Sequence, residues 1–169
     1  MNAAMSRPAE LPSVDTAAFK GAMRLLPAGV AVITSRNGGR MNGMTATAVT
    51  SVSAEPPLVL AVVNRSSRSH ELIALGAAFA INILSEGQEQ TAEFFAGQAE
   101  KPFAGIAHRI GVTGCPVLEG CAVSLELSLH DAHDVGTHTL FIGRVVDAVT
   151  TAHPPLLYHN GSFNRLAIG

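Results

Sequence analysis

The sequence predicts an α+β protein, mainly β, in which six or seven antiparallel strands form a closed barrel with short helices at its periphery. Residues 122–130 alternate between apolar and polar side chains, which is typical of a strand with one buried face. Aliphatic runs at 30–34 and 58–63 predict two further strands, and the second is expected to be buried on both faces. Because the turns between neighbouring strands are short, antiparallel pairing is favoured over a doubly wound parallel sheet.

The first third of the chain is predicted to contain one helix followed by strands. Residues 1–13 show no periodicity and are expected to form a flexible arm. Apolar side chains then recur at helical spacing before Pro27 and Gly29, at Phe19, Ala22, Met23 and Leu26. A tight turn at 37–39 follows the strand at 30–34. Residues 43–53 are rich in small and β-branched side chains and predict one strand that ends before Pro56.

Two short helices flank the next predicted strand. Ser69 is a candidate N-cap for a helix that ends at Gly76, and residues 78–84 form the strand. Ser85 and Gln88 have the spacing of a capping box, which predicts a second helix that continues to Gly97.

The C-terminal third is predicted to be all β. Residues 140–149 form a strand that pairs with 122–130 in a long hairpin, whose turn contains Gly136. Short closing strands at 156–158 and 163–168 flank the Asn160–Gly161 pair.

Composition limits the classes of function. The chain has 169 residues, of which 47% are hydrophobic and 14% charged, and this predicts one globular domain over residues 14–169. A net charge of -2 without a basic stripe argues against nucleic-acid binding and against an anionic membrane surface. The N-terminus does not resemble a signal peptide, and the two cysteines do not form a zinc or CxxC pattern, so we expect a cytoplasmic protein without a metal.

The segment NRSSRSHE, residues 64–71, is a candidate phosphate site. A polar loop that leaves a buried strand and enters a helix directs backbone N–H groups and the positive helix end outward. Arg65 or Arg68 would add a charge. The alternative is that Ser67 and Ser69 only cap the helix while the arginines are solvated.

The segment GMTATAVTS, residues 43–51, is a candidate surface for a flat ligand with polar edges. On a single strand, Thr45, Thr47 and Ser51 point to the same face, where their hydroxyl groups would line a groove. The alternative is that these threonines only satisfy β propensity.

The remaining candidate groups are histidines and a cysteine. His138 follows a turn at the start of a strand, where it would donate to a ligand or be simply solvated. His130 and His133 are three residues apart on a strand and point to opposite faces, which disfavours a shared metal. Cys115 has no basic neighbour in the sequence and is interpreted as a structural thiol.

The sequence also lacks the common catalytic signatures GxGxxG, GxxxxGK[ST], GxSxG and HExxH. An enzyme with this sequence therefore needs a cofactor that brings its own chemistry.

Taken in order, six segments resemble the flavin reductase-like family of FMN-binding split barrels, the short reductase components of two-component monooxygenases. The resemblance extends from about Phe19 to Leu166. Its segments are FKGAMRLLPAGVAVITS, GMTATAVTSVSAEPPLVLAVVNRSS, FAINILSEGQEQTAEFFAG, CPVLEGCAVSLEL, GTHTLFIGRVVDA and LLYHNGSF. It implies a split antiparallel barrel that assembles as a homodimer, with FMN or FAD in a groove near the subunit interface and NADH or NADPH as the hydride donor.

The resemblance also implies roles for individual residues. The flavin-contacting strand of the family corresponds here to Thr45, Ala46, Thr47, Ala48 and Ser51. The loop near the ribityl chain and phosphate corresponds to Asn64, Arg65, Ser66 and Ser67. Phe95 and Lys101 match a segment beside the flavin, and His138 matches a histidine near the nicotinamide. No side chain is assigned as catalytic, because the flavin itself accepts the hydride.

The resemblance implies an NAD(P)H:flavin oxidoreductase that supplies reduced flavin to a partner monooxygenase. One alternative is a flavin-dependent reductase of a second substrate such as a cobalt corrinoid. The other is a flavin-binding module without turnover.

Overall fold

The computed structural model describes residues 11–97 and 102–167. The three helices in these ranges are α1 Thr16–Met23, α2 Arg68–Gly76 and α3 Glu89–Ala96. The strands are β1 Ala28–Gly29, β2 Ala31–Asn37, β3 Arg40–Ala46, β4 Val49–Ala54, β5 Pro57–Asn64, β6 Ala78–Ile83, β7 His108–Ile110, β8 Pro116–Leu118, β9 Val123–Val135, β10 His138–Thr150, β11 Leu157–His159 and β12 Ser162–Asn164. Within the same ranges, no helix has the length and apolar character needed to cross a membrane.

Seven strands form one antiparallel sheet in the order β3-β2-β6-β9-β10-β5-β4. Its two edge strands, β3 and β4, are joined by only Thr47 and Ala48. A two-residue connection requires the sheet to curl until its edges approach each other, yet the two edges are not paired. The architecture is therefore the split barrel that the resemblance implies, and the prediction of a closed barrel is wrong.

The segment at 43–53, predicted to be one strand, is divided between β3 and β4. Ala46 ends β3 opposite Ala31, and Val49 begins β4 opposite Ala61 at the other edge of the sheet. Small side chains at Thr47 and Ala48 permit the chain to cross the opening between the edges. Local composition does not reveal this crossing, because both halves retain strand propensity.

Strand β2 is buried on both faces, which places it at the centre of the molecule. Ala31 and Ile33 pack inside the curled sheet, in a cluster with Phe79 and Phe141. Val32 points the other way, into a second cluster beneath α3. Because side chains alternate along a strand, β2 contributes side chains to two hydrophobic clusters on its opposite faces.

Strand β5 is less buried than its sequence predicts. Its inner side chains, Ala61 and Val63, are fully buried, whereas Leu58, Leu60 and Val62 on the outer face are only half-buried. No described segment forms a complete layer over that face, so an aliphatic run is necessary for two-sided burial but does not ensure it.

The polar face of β9 is covered at Ser124 and Glu126, although the alternation at 122–130 predicts a solvated face. Ser128 is half-buried and His130 is exposed, as predicted. Glu126 is 1% exposed because β7 and β8 fold back over it. Its carboxylate accepts hydrogen bonds from the Thr113 backbone N and Oγ1, both at 2.9 Å, and from Arg109 Nη1 at 3.2 Å. Alternation alone shows which side chains share a face and not what lies above it.

Helix α1 is shorter than predicted and has no buried residue. It ends at Met23, and Leu26 lies in the following turn. Phe19 and Met23 are 57% and 47% exposed. The predicted apolar face therefore exists but is not covered within the chain.

The predicted caps of the other two helices need correction. Ser67, not Ser69, is the N-cap of α2, where its Oγ accepts from His70 N at 3.2 Å. Ser69 is buried and accepts from Asn42 Nδ2 at 2.8 Å. At α3, Ser85 N donates to Gln88 Oε1 at 2.9 Å, which forms one half of the predicted capping box. The Ser85 hydroxyl binds Gly120 O at 2.6 Å instead, and the helix begins at Glu89.

The C-terminal hairpin belongs to a separate three-stranded sheet in the order β1-β11-β12. Its turn has Asn160 at φ 48° and Gly161 at φ 85°, which confirms the predicted turn. The predicted strand at 163–168 ends early, at Asn164, and Ile168 lies outside the described residues.

Candidate cofactor-binding groove

Two adjoining clefts form a groove beside the edge strand β3. The strand cleft, about 380 Å³, lies between the end of β3, helix α3 and the C-terminal hairpin. The loop cleft, about 400 Å³, lies between β3, the end of α3 and the loop that precedes α2. Thr45 and Ala96 line both clefts, so the two are continuous. The groove thus joins the two segments that the sequence singles out for ligand binding.

The end of β3 forms the floor of the strand cleft, which is lined by Thr45, Ala46 and Thr47. Thr45 Oγ1 donates to the carbonyl of Ala92 at 2.6 Å, which ties the strand to α3. Ala48 O accepts from Val62 N at 3.0 Å, beyond the strand cleft. Ser51, on β4, pairs with Val59 of β5. The predicted common face of Thr45, Thr47 and Ser51 is therefore wrong, because the chain changes sheet edge between the second and the third.

The side chain of Asn64 sets the conformation of the loop before α2. Its Oδ1 accepts from Ser66 N at 2.9 Å and from Ser66 Oγ at 2.8 Å, which turns the chain sharply as it leaves β5. Ser67 then begins α2 as its N-cap. Asn64, Ser66, Ser67 and Arg68 all line the loop cleft. A helix N-terminus with hydroxyl donors beside it suits an anionic group such as a phosphate.

The two arginines of this loop occupy different positions. Arg68 lines the loop cleft. Arg65 Nη1 instead lies 3.2 Å from Asp134 Oδ2, on the tip of the β9–β10 hairpin. The hydrogen bond from Thr139, together with Arg65, lowers the pKa of Asp134 below its usual value. Thr139 also contacts His70 Nε2 at 2.8 Å, so Arg65 is held within a network behind the loop.

Phe95 and Lys101, predicted to lie beside the ligand, have different outcomes. Phe95 is fully buried and forms part of the wall of the loop cleft, where its ring packs on Gly43. Lys101 lies outside the described residues.

His138 opens strand β10 directly opposite Asn64. Its Nδ1 lies 2.9 Å from Thr137 Oγ1, and the backbone O of Thr137 accepts from Arg65 N at 3.1 Å. His138 is thus at the same end of the sheet as the loop but is not among the residues that line the two clefts.

Sequence reasoning missed the C-terminal hairpin as a wall of the groove. Tyr158, Gly161 and Phe163 line the strand cleft, and the two aromatic rings meet edge to face with centroids 5.6 Å apart. Asn42 and Met44, which line the loop cleft, were missed as well. The Asn160–Gly161 turn predicts the hairpin, but its position depends on the long-range pairing of Ala28 with Tyr158.

The cysteines lie elsewhere. Cys115 and Cys121 are both buried and free. Burial raises the pKa of Cys115, and it raises that of Cys121 to about 11. Both thiols therefore remain protonated near neutral pH, which agrees with the structural role predicted for Cys115. Among residues 11–97 and 102–167, no group of three or more His, Cys, Asp or Glu side chains is placed to hold a metal.

The groove has the polarity that a phosphorylated ring compound requires. One end presents hydroxyl groups, an arginine and a helix N-terminus, and the other presents backbone, threonine and aromatic side chains. The groove is therefore suited to a ligand that joins an anionic group to a flat ring.

Comparison with known proteins identifies the family of the chain. The chain is 36% identical over 150 residues to a probable flavin reductase of Rhizobium meliloti, a match that covers 88% of this chain and 48% of that protein. It is 36% identical over 154 residues to the 4-hydroxyphenylacetate 3-monooxygenase reductase component of Pseudomonas aeruginosa, covering 88% of this chain and 91% of that one.

The solved structure of the Streptomyces globisporus NADH:FAD oxidoreductase SgcE6, in complex with NAD and FAD fragments, is 34% identical and has a TM-score of 0.87. That match covers 94% of this chain and 98% of the other. A family model described as flavin reductase like domain matches residues 23–167. This match covers most of the chain, which therefore belongs to the flavin reductase-like family.

Proposed function

We propose that the protein is an NAD(P)H:flavin oxidoreductase that transfers hydride from NADH or NADPH to FMN or FAD. The observation that carries the proposal is the continuity of the two clefts at Thr45, which joins a site suited to phosphate to a surface suited to a flat ring. Related proteins with NADH-dependent flavin reductase activity support flavin as the acceptor and NADH as the donor.

In this mechanism the residues of the groove would bind the flavin and orient its ring. The start of α2 at Ser66 and Ser67 would hold the flavin phosphate, with the Arg68 guanidinium beside it. The backbone and small side chains of Thr45–Thr47 would permit a ring to lie close to β3. Ala48 follows at the crossing between the sheet edges, and Ser51 lies on the opposite edge strand, β4. Tyr158 and Phe163 limit the access of water to the strand cleft. When bound, the flavin supplies the hydride-accepting ring, so no protein side chain needs to act as acid or base.

His138 is assigned to the nicotinamide. It stands at the start of β10, next to the strand end that carries Asn64 and the phosphate loop. From this position its ring nitrogen would donate to the amide or phosphates of the nicotinamide cofactor. Arg65, held by Asp134, would act on the loop rather than directly on the phosphate.

A homodimer is supported by two uncovered apolar surfaces. On the outer face of the sheet, Leu60 lies opposite Ile142 and Val62 opposite Leu140, and all four are half-buried in the single chain. The apolar residues of α1 border a shallow groove that includes Thr47 and Tyr158. An interface here would lie beside the strand cleft. Light scattering of the purified protein at micromolar concentration should give twice the chain mass, and a monomer with flavin fully bound would exclude the dimer.

The acceptor of the reduced flavin is proposed to be a flavin-dependent monooxygenase. The support is the related reductase component of a monooxygenase, which covers most of both chains. The protein would then act in the cytoplasm, where NADH is available.

Steady-state NADH consumption with free FMN or FAD tests the activity. We expect absorbance at 340 nm to fall only when flavin is added, and to continue in air because oxygen reoxidises the product. Turnover that requires a second acceptor, such as a cobalt corrinoid, would favour a dedicated reductase of that acceptor. Protein that binds flavin but leaves NADH unchanged would show a flavin-binding module.

A further inference from the structure

Two contacts join the phosphate loop, residues 64–67, to the tip of the β9–β10 hairpin, which carries His138. The backbone N of Arg65 donates to Thr137 O at 3.1 Å. The Arg65 guanidinium lies 3.2 Å from Asp134 Oδ2, and the two side chains are 50% and 61% exposed. An ion pair this exposed holds the two segments together only weakly.

A third contact is buried and runs through Thr139, whose side chain is on β10. Thr139 is 3% exposed. Its Oγ1 donates to Asp134 Oδ1 at 2.5 Å, on the facing strand of the hairpin. The same oxygen lies 2.8 Å from Nε2 of His70, in the first turn of α2. One buried hydroxyl group therefore connects the hairpin to the helix that follows the phosphate loop.

The direction of each hydrogen bond follows from the charge of Asp134. The hydrogen bond from Thr139, together with Arg65, lowers the pKa of Asp134, so its carboxylate is ionised near neutral pH and can only accept. Thr139 has a single hydroxyl hydrogen, which it donates to this carboxylate. Its oxygen then accepts from His70, whose Nε2 carries a hydrogen. The chain of hydrogen bonds thus runs from His70 through Thr139 to Asp134.

His70 links this chain to the loop cleft. Its ring packs on Phe141, with centroids 5.2 Å apart, and Phe141 lies on the same face of β10 as Thr139 because the two are two residues apart. The backbone N of His70 donates at 3.2 Å to Oγ of Ser67, the N-cap that lines the loop cleft. A shift of the His70 ring would therefore displace the start of α2.

We infer that Thr139 is a positioning residue for hydride transfer, which fixes the phosphate loop relative to the strand end that carries His138 by bonding both His70 and Asp134. This inference rests on the proposed function, in which the loop holds the flavin and His138 contacts the nicotinamide. Hydride transfer requires the two rings in contact, and a displacement of about 1 Å can slow such a reaction about 100-fold. Loss of the Thr139 hydroxyl group should therefore slow the reduction of bound flavin more than it weakens the binding of flavin.

Two substitutions at Thr139 separate the hydroxyl group from the shape of the side chain. Thr139→Val removes the hydroxyl group and keeps the shape, whereas Thr139→Ser keeps the hydroxyl group. Thr34→Val is the matched control. Thr34 is also fully buried, and its Oγ1 donates to Pro116 O and accepts from Asn82 Nδ2 at 3.2 Å. It lies on β2, outside both clefts.

Three measurements are made on each variant. The absorbance at 450 nm after rapid mixing with NADH, without oxygen and with FMN saturating, gives the limiting rate of flavin reduction. Flavin fluorescence gives the Kd for FMN. Hydrogen–deuterium exchange of the flavin-free protein reports on the opening of residues 65–70 independently of activity.

We expect the limiting rate to fall roughly 10-fold in Thr139→Val and to recover in Thr139→Ser, with a smaller change in the Kd for FMN. Amides of residues 65–70 should exchange faster in Thr139→Val than in the wild type. Thr34→Val should unfold at lower urea concentration, yet keep the wild-type limiting rate and the wild-type exchange of this segment. Asp134→Asn, which changes an exposed side chain, should slow flavin reduction about 3-fold and provides the test if Thr139→Val cannot be purified.

A wild-type limiting rate, or unchanged exchange of residues 65–70, in Thr139→Val would overturn the inference. So would equal losses in the valine and serine variants, because the hydroxyl group would then not be the cause. A rate in Thr34→Val that falls as far would overturn it as well, since it would indicate a general effect of stability. If only Asp134→Asn can be purified, a wild-type rate in that variant overturns the inference.

In each of these cases the wild-type protein still reduces flavin with NADH, so the proposed function stands. A wild-type protein that leaves flavin oxidised would instead remove the proposed function and this inference with it.

Discussion

The ring of Phe95 packs directly on the backbone of Gly43, so closely that a Cβ at Gly43 would lie 2.5 Å from Cε1 of the ring. Helix α3 approaches β3 to this distance only because residue 43 has no side chain. The hydrogen bond from Thr45 to Ala92 holds the same two elements together one turn earlier in α3. Both contacts set the width of the groove between them.

Gly43→Ala should therefore destabilise the fold and widen the groove. Phe95 is fully buried and cannot move without disturbing the core, and overpacking of this kind costs about 1 to 3 kcal/mol. Urea unfolding should show that loss, with weaker flavin binding under native conditions. Gly39→Ala is the control, since a Cβ there meets nothing within 4 Å. Equal stability of the two variants would contradict the packing argument.

Arg68→Ala should weaken FMN more than riboflavin, which lacks the phosphate. Arg68 lines the loop cleft, and the loss of a charged partner on an exposed phosphate costs about 1 kcal/mol. The matched variant is Arg65→Ala, which removes a guanidinium from the same loop at a position that does not line the loop cleft. It should have the smaller effect in flavin titrations. Equal losses for FMN and riboflavin in Arg68→Ala would place the phosphate elsewhere.

His138→Ala should raise the KM for NADH and leave flavin affinity almost unchanged. An unmade polar contact with the nicotinamide cofactor is worth about 1 to 3 kcal/mol in kcat/KM. His130→Ala, which removes an exposed histidine from β9, serves as the control. If flavin binding falls while NADH kinetics match the wild type, the histidine has been assigned to the wrong ligand.

Burial of the Cys121 thiol should make the fold less stable in alkaline solution. Its pKa is raised by burial to about 11 in the folded chain, above the ordinary value of 9.0. As pH rises from 9 to about 11, the unfolded chain loses this proton first, so the free energy of unfolding falls over that range and is unaffected below it. The difference in urea midpoint between the wild type and Cys121→Ala should be constant below pH 9 and should shift against the wild type above it. Rapid alkylation of native Cys121 at pH 8 would be inconsistent with its burial.

Most of the strands could be predicted from the sequence because they depend on local alternation and turn chemistry. Gly38, at φ 57°, closes the β2–β3 hairpin where the Asn-Gly-Gly sequence predicts a turn. The loop at Asn64–Ser67 was found for the same reason, since a strand, a polar turn and a helix cap follow one another in the chain.

The errors arise where contacts between distant residues decide the outcome. The solvated face predicted for Glu126 is covered by a segment that begins 18 residues earlier, at His108. The crossing at Thr47–Ala48 depends on which strands become sheet edges, and the ion pair between Arg65 and Asp134 joins residues 69 positions apart. No local pattern in the sequence encodes these relationships.

The central claim is that this groove presents flavin to NADH for hydride transfer. Its most direct test is the absorbance at 450 nm after NADH is mixed, without oxygen, with the purified protein and FMN or FAD. We predict rapid bleaching of the oxidised flavin, with one NADH consumed for each flavin reduced and a rate that far exceeds that of the same mixture without protein. Flavin that stays oxidised in the presence of the protein and excess NADH would contradict the account.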